Sequence, residues 1–272
     1  MLKIAIIVAS LVLLASCSTT SQIAASGRSG LAPSGKLRVG INIGNMLLTA
    51  KDPVSGQYGG IAFDLARELG RWAGVPIEIV TFDSAGKLAD GVRAGAWDVA
   101  FLGIEPERAE GISFSPAYAE IESTYLVPAG SPLHTVTDVD RDGVRIAISA
   151  RSAYDLVLSR TLRRARLERV PGVEGVPGTE GAYRLFIEEH LDALAGLKPV
   201  LMAFADKLPG SRILDGHIST VQQAIGVPKD RAASVQLLRE FVEDIKANGL
   251  VARAIEKNGV RGVSVAPRTT LQ

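Results

Sequence analysis

The 272-residue sequence contains a single cysteine, Cys17, and this scarcity limits how the fold can be held together. One cysteine cannot form a disulfide within the chain. Because disulfides are the usual stabilisers of small secreted domains, stability here must come from a hydrophobic core. A chain of this length can bury a large core and often divides into two lobes.

The sequence also lacks an excess of charge of either sign. Lys and Arg number 30, and Asp and Glu number 29. Loss of residues 1–16 would remove Lys3 and leave 29 of each sign. Nucleic-acid-binding domains usually carry a basic stripe, so the composition gives no support for a nucleic-acid partner.

Motifs for catalysis and for metal binding are scarce. The three histidines, His134, His190 and His217, have no metal-ligand spacing to one another, to the cysteine or to paired carboxylates. A Gly-x-Ser-x-Gly elbow and a phosphate-binding loop are both missing from the sequence. We therefore expect no metal site, no cofactor and no enzymatic activity.

Long apolar runs are confined to the N-terminus, where Lys3 precedes the apolar stretch Ile4–Leu14. This pattern is typical of a secretory leader, and the run is shorter than the ~20 residues that a bilayer requires. Leu14-Ala15-Ser16-Cys17 resembles the lipobox of bacterial lipoproteins. The resemblance implies a leader over residues 1–16, a diacylglycerol on the Cys17 thiol, and a protein anchored in the periplasm or at the cell surface. The alternative is an ordinary cleaved leader with an incidental cysteine.

A Ser- and Gly-rich stretch over residues 17–35 predicts a flexible tether. From Lys36 onward, segments with strand and helix periodicity alternate, which predicts an α/β fold with parallel sheets. Strands are predicted at 37–41, 77–80, 97–103, 125–128, 145–148, 167–170, 191–195 and 212–214, with residues 218–227 extended. Helices are predicted at 61–69, 88–93, 153–163, 183–189, 200–206, 232–248 and 250–257.

Ligands of open α/β sheets bind beyond the carboxyl ends of the strands. We therefore expect the site near residues 41–48, 101–108, 149–154 and 195–199.

Four pieces of the sequence together carry a family resemblance. They are Lys36–Gly40, Gly59–Ala66, Leu88 with Gly95–Asp98, and Glu105–Arg108 followed by Phe114–Tyr118. In this order and spacing they resemble the extracytoplasmic solute-binding proteins of polar amino-acid ABC importers, the group that includes the histidine- and glutamine-binding proteins. The resemblance covers about residues 36–258.

The resemblance implies a type II periplasmic-binding-protein-like fold, in which two α/β lobes joined by hinge strands close on a ligand. The first lobe would comprise 36–125 and 216–268, and the second 126–215. The implied partners are a small-molecule solute, an ABC permease and, through the lipid anchor, a membrane. The protein would be a monomer.

In this family an arginine grips the ligand's carboxylate, and Arg108 occupies that position. A guanidinium can hold a carboxylate through two parallel hydrogen bonds and stays charged when desolvated. The alternative is a surface arginine paired with Glu105 or Glu107, of the exposed kind that contributes little.

Five further residues are implied to line the cleft. Gly103 offers a backbone N–H, and Ser152 can cap the helix that follows it. Asn42 and Asn45 either contact the ligand or form turns. Arg151 stands where the family often has glycine, and is either a second cation facing the ligand or a solvated side chain.

The sequence departs from the family pattern in two places. Ala85 lies near the usual aromatic platform and cannot stack. No carboxylate occurs in the run 194–199, where an acidic residue would hold the ligand's ammonium. A buried ammonium without an anion is costly. The hypothesis is an anionic ligand that lacks an amine, with Arg108, Arg151 and Lys198 supplying positive charge. Two alternatives remain, an enzyme of this fold that resembles cyclohexadienyl dehydratases, and a ligand sensor.

Overall fold

A computed structural model describes residues 31–174 and 176–269, so Cys17 and the predicted leader lie outside the described residues. The strands are β1 (Leu37–Asn42), β2 (Ala50–Lys51), β3 (Tyr58–Gly59), β4 (Ile77–Phe82), β5 (Val99–Gly103), β6 (Ile112–Phe114), β7 (Ala119–Val127), β8 (Arg145–Ser149), β9 (Arg166–Val170), β10 (Ala193–Leu197), β11 (Arg212–Ile213), β12 (Ser219–Pro228) and β13 (Val263–Val265). The helices are α1 (Ile61–Ala73), α2 (Ala85–Asp90), α3 (Pro106–Ala109), α4 (Ala153–Thr161), α5 (Gly178–Glu188), α6 (Lys198–Ala205), α7 (Val235–Ala247) and α8 (Leu250–Lys257), with 3-10 turns at Val136–Asp138 and Lys229–Ser234.

The sheet runs through both lobes in the order β4-β1-β5-β12-β7-β10-β8-β9. In the first lobe β1 lies parallel to β4 and β5, and in the second β8 lies parallel to β9 and β10. Two long antiparallel strands, β7 and β12, join these halves. The predicted pair of α/β lobes with hinge strands between them is therefore confirmed.

The first lobe is built on the amphipathic helix α1. Its residues Ile61, Leu65 and Leu69 recur at helical spacing and are fully buried against the sheet. The predicted helix ended near Gly70, but α1 continues to Ala73, and Gly74 caps it in the left-handed conformation. Gly70 serves close packing instead, since a Cβ there would lie 2.3 Å from Ile77 Cγ2.

Strand β7 starts well before the predicted strand at 125–128. Its polar residues hid it from hydrophobic patterning, because Ser123 and Thr124 are fully buried. Their hydroxyls donate to the carbonyls of Ser219 and Gly216 at 3.0 and 3.3 Å. Side-chain hydrogen bonds therefore satisfy these buried groups and tie β7 to the start of the other hinge segment.

The end of the predicted tether is packed in this structure. Leu31 is fully buried and Ala32 is 6 % exposed, and both belong to the hydrophobic core. Arg231 donates a hydrogen bond from Nη2 to the carbonyl of Leu31 at 2.7 Å. Residues 31 and 32 therefore belong to the folded part of the chain. Within the described residues no helix is long and apolar enough to cross a membrane.

Asp98 is a buried carboxylate that joins three parts of the first lobe. Its side chain is 2 % exposed. It accepts hydrogen bonds from the backbone N–H, Nε and Nη2 of Arg38 at 2.9, 3.1 and 2.9 Å, and from Nη1 of Arg231 at 3.4 Å. This aspartate, one of the residues that carried the family resemblance, therefore has a structural role in connecting β1, β5 and the segment after β12.

Replacing Asp98 by alanine should destabilise the fold strongly, because Arg38 and Arg231 would lose a buried partner. We expect the free energy of unfolding to fall by about 3–5 kcal/mol, measured by urea denaturation. Glu180→Ala is the matched control, since Glu180 pairs with Arg184 at 3.4 Å on the helix surface. It should change stability by less than about 1 kcal/mol. Equal effects of the two substitutions would contradict the structural role of Asp98.

Candidate ligand-binding site

A cavity of about 60 Å³ lies between the lobes at the carboxyl ends of the parallel strands. It draws residues from each of the four segments that the sequence indicated. Its wall is formed by Ile41, Asn42, Gly44, Asn45, Leu48, Ala62, Ala85, Phe101, Leu102, Gly103, Arg108, Ser152, Ala153, Tyr154, Leu197, Val221 and Gln223. The wall is therefore mostly apolar, with one cation and several neutral polar side chains.

Arg108 is the one charged residue of this wall, and it is only 6 % exposed. Its Nη1 donates to the carbonyl of Gly103 at 2.8 Å, and its Nη2 donates to the carbonyl of Arg151 at 2.9 Å. Burial lowers the pKa of Arg108 to about 10, so the guanidinium stays charged at neutral pH. The guanidinium is thus fixed by one carbonyl from each lobe.

Arg108 forms no ion pair within the described residues. Of the two glutamates that offered an alternative explanation, Glu105 pairs with Arg160 at 2.8 Å and Glu107 points to the exposed side. A guanidinium has five N–H donors, and two carbonyls leave several of them unused. A buried cation without an anion is costly, so this arrangement fits an anionic ligand.

Asn42 and Asn45 form turns and also line the cavity. The Oδ1 atom of Asn42 accepts from the N–H of Gly44 at 2.9 Å, and that of Asn45 accepts from the N–H of Leu47 at 3.3 Å. These bonds fix the two side chains and use only their oxygens. Their Nδ2 groups make no hydrogen bond to any described residue and remain available as donors.

Ser152 caps α4, as its position predicted, by accepting from the N–H of Asp155 at 3.1 Å. The Asp155 carboxylate, 3 % exposed, accepts from the N–H of Arg151 at 2.6 Å and from Arg169 Nε at 2.9 Å. An anion therefore already lies at the start of α4, so this helix start attracts a ligand anion less than the sequence suggested. Gly103 and Ser152 both line the cavity, on opposite lobes.

Arg151 does not line the cavity. It has a φ of 57°, a left-handed conformation that explains why glycine is common at this position. Its guanidinium reaches the first lobe and binds Asp90 through two hydrogen bonds, of 2.5 and 3.0 Å. Gly86 makes room for it, since a Cβ there would lie 2.9 Å from Arg151 Cβ. Arg151 is therefore a half-exposed partner in an ion pair between the lobes and does not line the cavity.

Lys198 does not lie on the cavity wall, where it was expected to supply positive charge. Its Nζ binds the Glu122 carboxylate at 2.7 Å, which holds the pKa of Glu122 below its ordinary value. The pair lies in a separate surface groove of about 480 Å³. Of the three proposed sources of positive charge, only Arg108 faces the cavity.

The sequence did not single out Gln223, although this residue lines the cavity and is 5 % exposed. It lies on β12, beside apolar neighbours such as Val221 and Ile225. The strand also contains Ser219, Thr220 and Gln222, so the local sequence gave no signal that singled out Gln223. Tyr154 and Leu197 lie in the segments where the site was expected but were not named as contacts, and Val221 lies outside those segments.

The model of the bacterial extracellular solute-binding proteins, family 3, matches residues 37–260. The chain belongs to this family. Because proteins of this family act outside the cytoplasm, this chain is extracytoplasmic. The predicted type II fold is confirmed.

Several solved structures of this fold resemble this chain over most of its length. The P235GK mutant of ArgBP from T. maritima is 23 % identical with a TM-score of 0.71, covering 85 % of this chain and 98 % of that one. The substrate-binding protein of an amino acid ABC transporter is 19 % identical with a TM-score of 0.69, covering 82 % and 98 %. The ancestral amino-acid-binding protein AncCDT-1, a precursor of cyclohexadienyl dehydratase, is 21 % identical with a TM-score of 0.67, covering 85 % and 99 %. No curated protein matches the chain.

Two ion pairs hold the lobes of this solute-binding protein together at the edge of the cavity. One joins Arg151 to Asp90, with side chains 46 % and 52 % exposed. The other joins Arg160 to Glu105, whose side chain is 8 % exposed. Because both pairs cross between the lobes, separation of the lobes would break them.

Asp90→Asn should shift the solute-binding protein toward an open form. The pair is half-exposed, so we expect a loss of about 0.5–1 kcal/mol of closure free energy, or roughly a two- to fivefold lower closed-to-open ratio. Distance measurements between spin labels on the two lobes would detect it, and high salt should reduce the difference. Asp83→Asn is the matched control, since Asp83 pairs with Lys87 within one lobe. An unchanged distance distribution in Asp90→Asn would contradict the closing role of this pair.

Proposed function

We propose that this chain is a lipid-anchored extracytoplasmic solute-binding protein that captures a small carboxylate-bearing solute between its lobes and delivers it to an ABC importer. The observation that carries the proposal is Arg108, a buried guanidinium on the cavity wall with no carboxylate partner among the described residues. A ligand carboxylate would supply the missing anion through charge-assisted hydrogen bonds.

The composition of the rest of the cavity wall favours an acidic ligand that lacks an amine. None of the wall residues is an aspartate or a glutamate, so an α-ammonium would be buried without an anion. Solved relatives include a binding protein of an amino acid ABC transporter, so amino acids are the natural comparison class. The proposal is therefore that this member takes a small organic anion, held by Arg108, Gly103, Ser152, Asn42 and Asn45.

A second candidate function is an enzyme of the same fold, because a structure that resembles this chain is a precursor of cyclohexadienyl dehydratase. Acid–base catalysis needs a group that exchanges protons near neutral pH. The wall offers Arg108 and the phenol of Tyr154, whose pKa burial raises further. This favours binding over turnover. Incubation with cyclic acids and analysis of the products separates the two functions.

Arg108→Gln should weaken binding of the tightest carboxylate found in a thermal-shift screen of organic acids and amino acids. The loss of a desolvated, charge-assisted pair predicts at least about 30-fold lower affinity by isothermal titration calorimetry. Arg93→Gln, on the exposed surface, is the control and should bind like the original protein. Binding of the acid at unchanged affinity by Arg108→Gln would refute the role of this arginine.

Cys17→Ser should release the protein from the membrane without changing its affinity, because the proposed anchor is not one of the described residues that line the cavity. Fractionation of cells that express each form, followed by titration of the purified proteins, provides the two readouts. Retention of Cys17→Ser in the membrane fraction to the same extent as the original chain would count against a lipid on this thiol.

A further inference from the structure

Gln223 lies beside the binding arginine on the cavity wall. On β12 it is the register partner of Gly103 in β5, and Gly103 is the residue whose carbonyl accepts from Arg108. Strand pairing therefore fixes the glutamine and the guanidinium on neighbouring parts of one small cavity. A ligand carboxylate on Arg108 would bring the next carbon of the ligand close to Gln223.

Gln223 is 5 % exposed, and its side-chain amide opens onto the cavity without a hydrogen bond to any described residue. Its backbone lies between β5 and β7, and its carbonyl accepts from the N–H of Tyr118 at 2.8 Å. The preceding residue, Gln222, points to the opposite face of the strand, is exposed, and donates from Nε2 to Glu120 at 2.9 Å. Because the Gln223 amide opens onto the cavity and has no protein partner among the described residues, its donor and acceptor are both available to a ligand.

The chemistry of this amide limits what the partner can be. A glutamine side chain offers a donor and an acceptor but no charge. It can pair with a hydroxyl or a carbonyl oxygen, whereas an ammonium would still lack an anion anywhere on the described wall. The second polar group of the ligand is therefore uncharged.

The size of the cavity limits the ligand further. A volume of about 60 Å³ is well below the ~300–1,000 Å³ of sites for drug-sized ligands. This favours a compact acid over a large one. Phe101, Val221 and Leu197 are among the apolar residues of the wall and fit a short alkyl group.

We propose that Gln223 is a specificity-determining residue that hydrogen-bonds the hydroxyl or carbonyl oxygen next to the carboxylate of a small 2-hydroxy or 2-oxo monocarboxylate. The inference rests on the proposed function, because it assumes that Arg108 holds the carboxylate. It adds the class of solute and the residue that selects it.

Four three-carbon acids test the inference, because they differ only at the second carbon. They are propionate, lactate, pyruvate and alanine, each titrated into the full-length protein by isothermal titration calorimetry. We expect lactate or pyruvate to bind at least 10-fold more tightly than propionate and alanine. Gln223→Leu should lower the affinity for that acid at least 10-fold while leaving propionate within about threefold, so the preference disappears.

Two comparison variants make the result specific. Gln222→Leu changes the adjacent glutamine on the opposite face and should keep the preference intact. Thermal unfolding of Gln223→Leu should show a melting temperature no lower than that of the original protein, since an unpartnered amide is replaced by an apolar side chain of similar size.

The contrary outcomes are distinct. A preference for alanine, or an unchanged preference in Gln223→Leu, overturns the role of Gln223. If binding still depends on Arg108 in those cases, the proposed function stands. The same holds if only five- or six-carbon acids bind and Arg108→Gln abolishes their binding. If no carboxylate binds, the proposed function fails and the inference fails with it.

Discussion

The arrangement of the cleft depends on one buried positive charge. Arg108 is fixed by carbonyls from both lobes, that of Gly103 on its own lobe and that of Arg151 on the other. Neither carbonyl neutralises the charge, so the guanidinium is oriented while its demand for an anion remains. Because the second carbonyl belongs to the opposite lobe, the bond that orients the arginine also requires the lobes to be closed. Charge recognition and closure are therefore linked through a single side chain.

The chain accepts an unfavourable backbone conformation to keep this closed arrangement. Arg151 has a φ of 57°, which costs a residue with a side chain about 1–2 kcal/mol relative to the right-handed form. Glycine would remove that cost but would also remove the guanidinium that binds Asp90. The facing helix has Gly86 at the contact, where any side chain would collide with Arg151. The local strain is explained by an interlobe contact that only an arginine at this position can make.

Sequence patterns predicted those parts of the fold that depend on neighbouring residues. The periodicity of α1 and the apolar strands of the first lobe gave the architecture, and the motif around Arg108 picked out a residue that lines the cavity. Patterns failed where partners lie far apart in the chain. Arg151 was ambiguous because Asp90 is 61 positions away, and the partner of Lys198 is 76 positions away. The prediction covered only the end of β7, because the partners that satisfy its buried hydroxyls lie on a segment about 90 residues later.

Gln223 was missed for a related reason. Nothing in the local sequence distinguishes it from Gln222, and only the pairing of β12 with β5 and β7 shows which of the two faces the cavity. Alternation along the strand then assigns opposite environments to two identical residues. The exposed one has a carboxylate partner, and the buried one has none among the described residues.

The distribution of charges around the cleft is the basis for the charge of the proposed ligand. Asp90 neutralises Arg151, Glu105 neutralises Arg160, and Asp155 is neutralised by Arg169. Among the described residues of the cavity wall, Arg108 alone then remains uncompensated. A monovalent anion would balance this site, whereas a zwitterion would leave an ammonium and a dicarboxylate would leave a second carboxylate without a partner. The proposed preference for a singly charged acid thus rests on where the protein has already paired its own charges, and it does not require any contact specific to one solute.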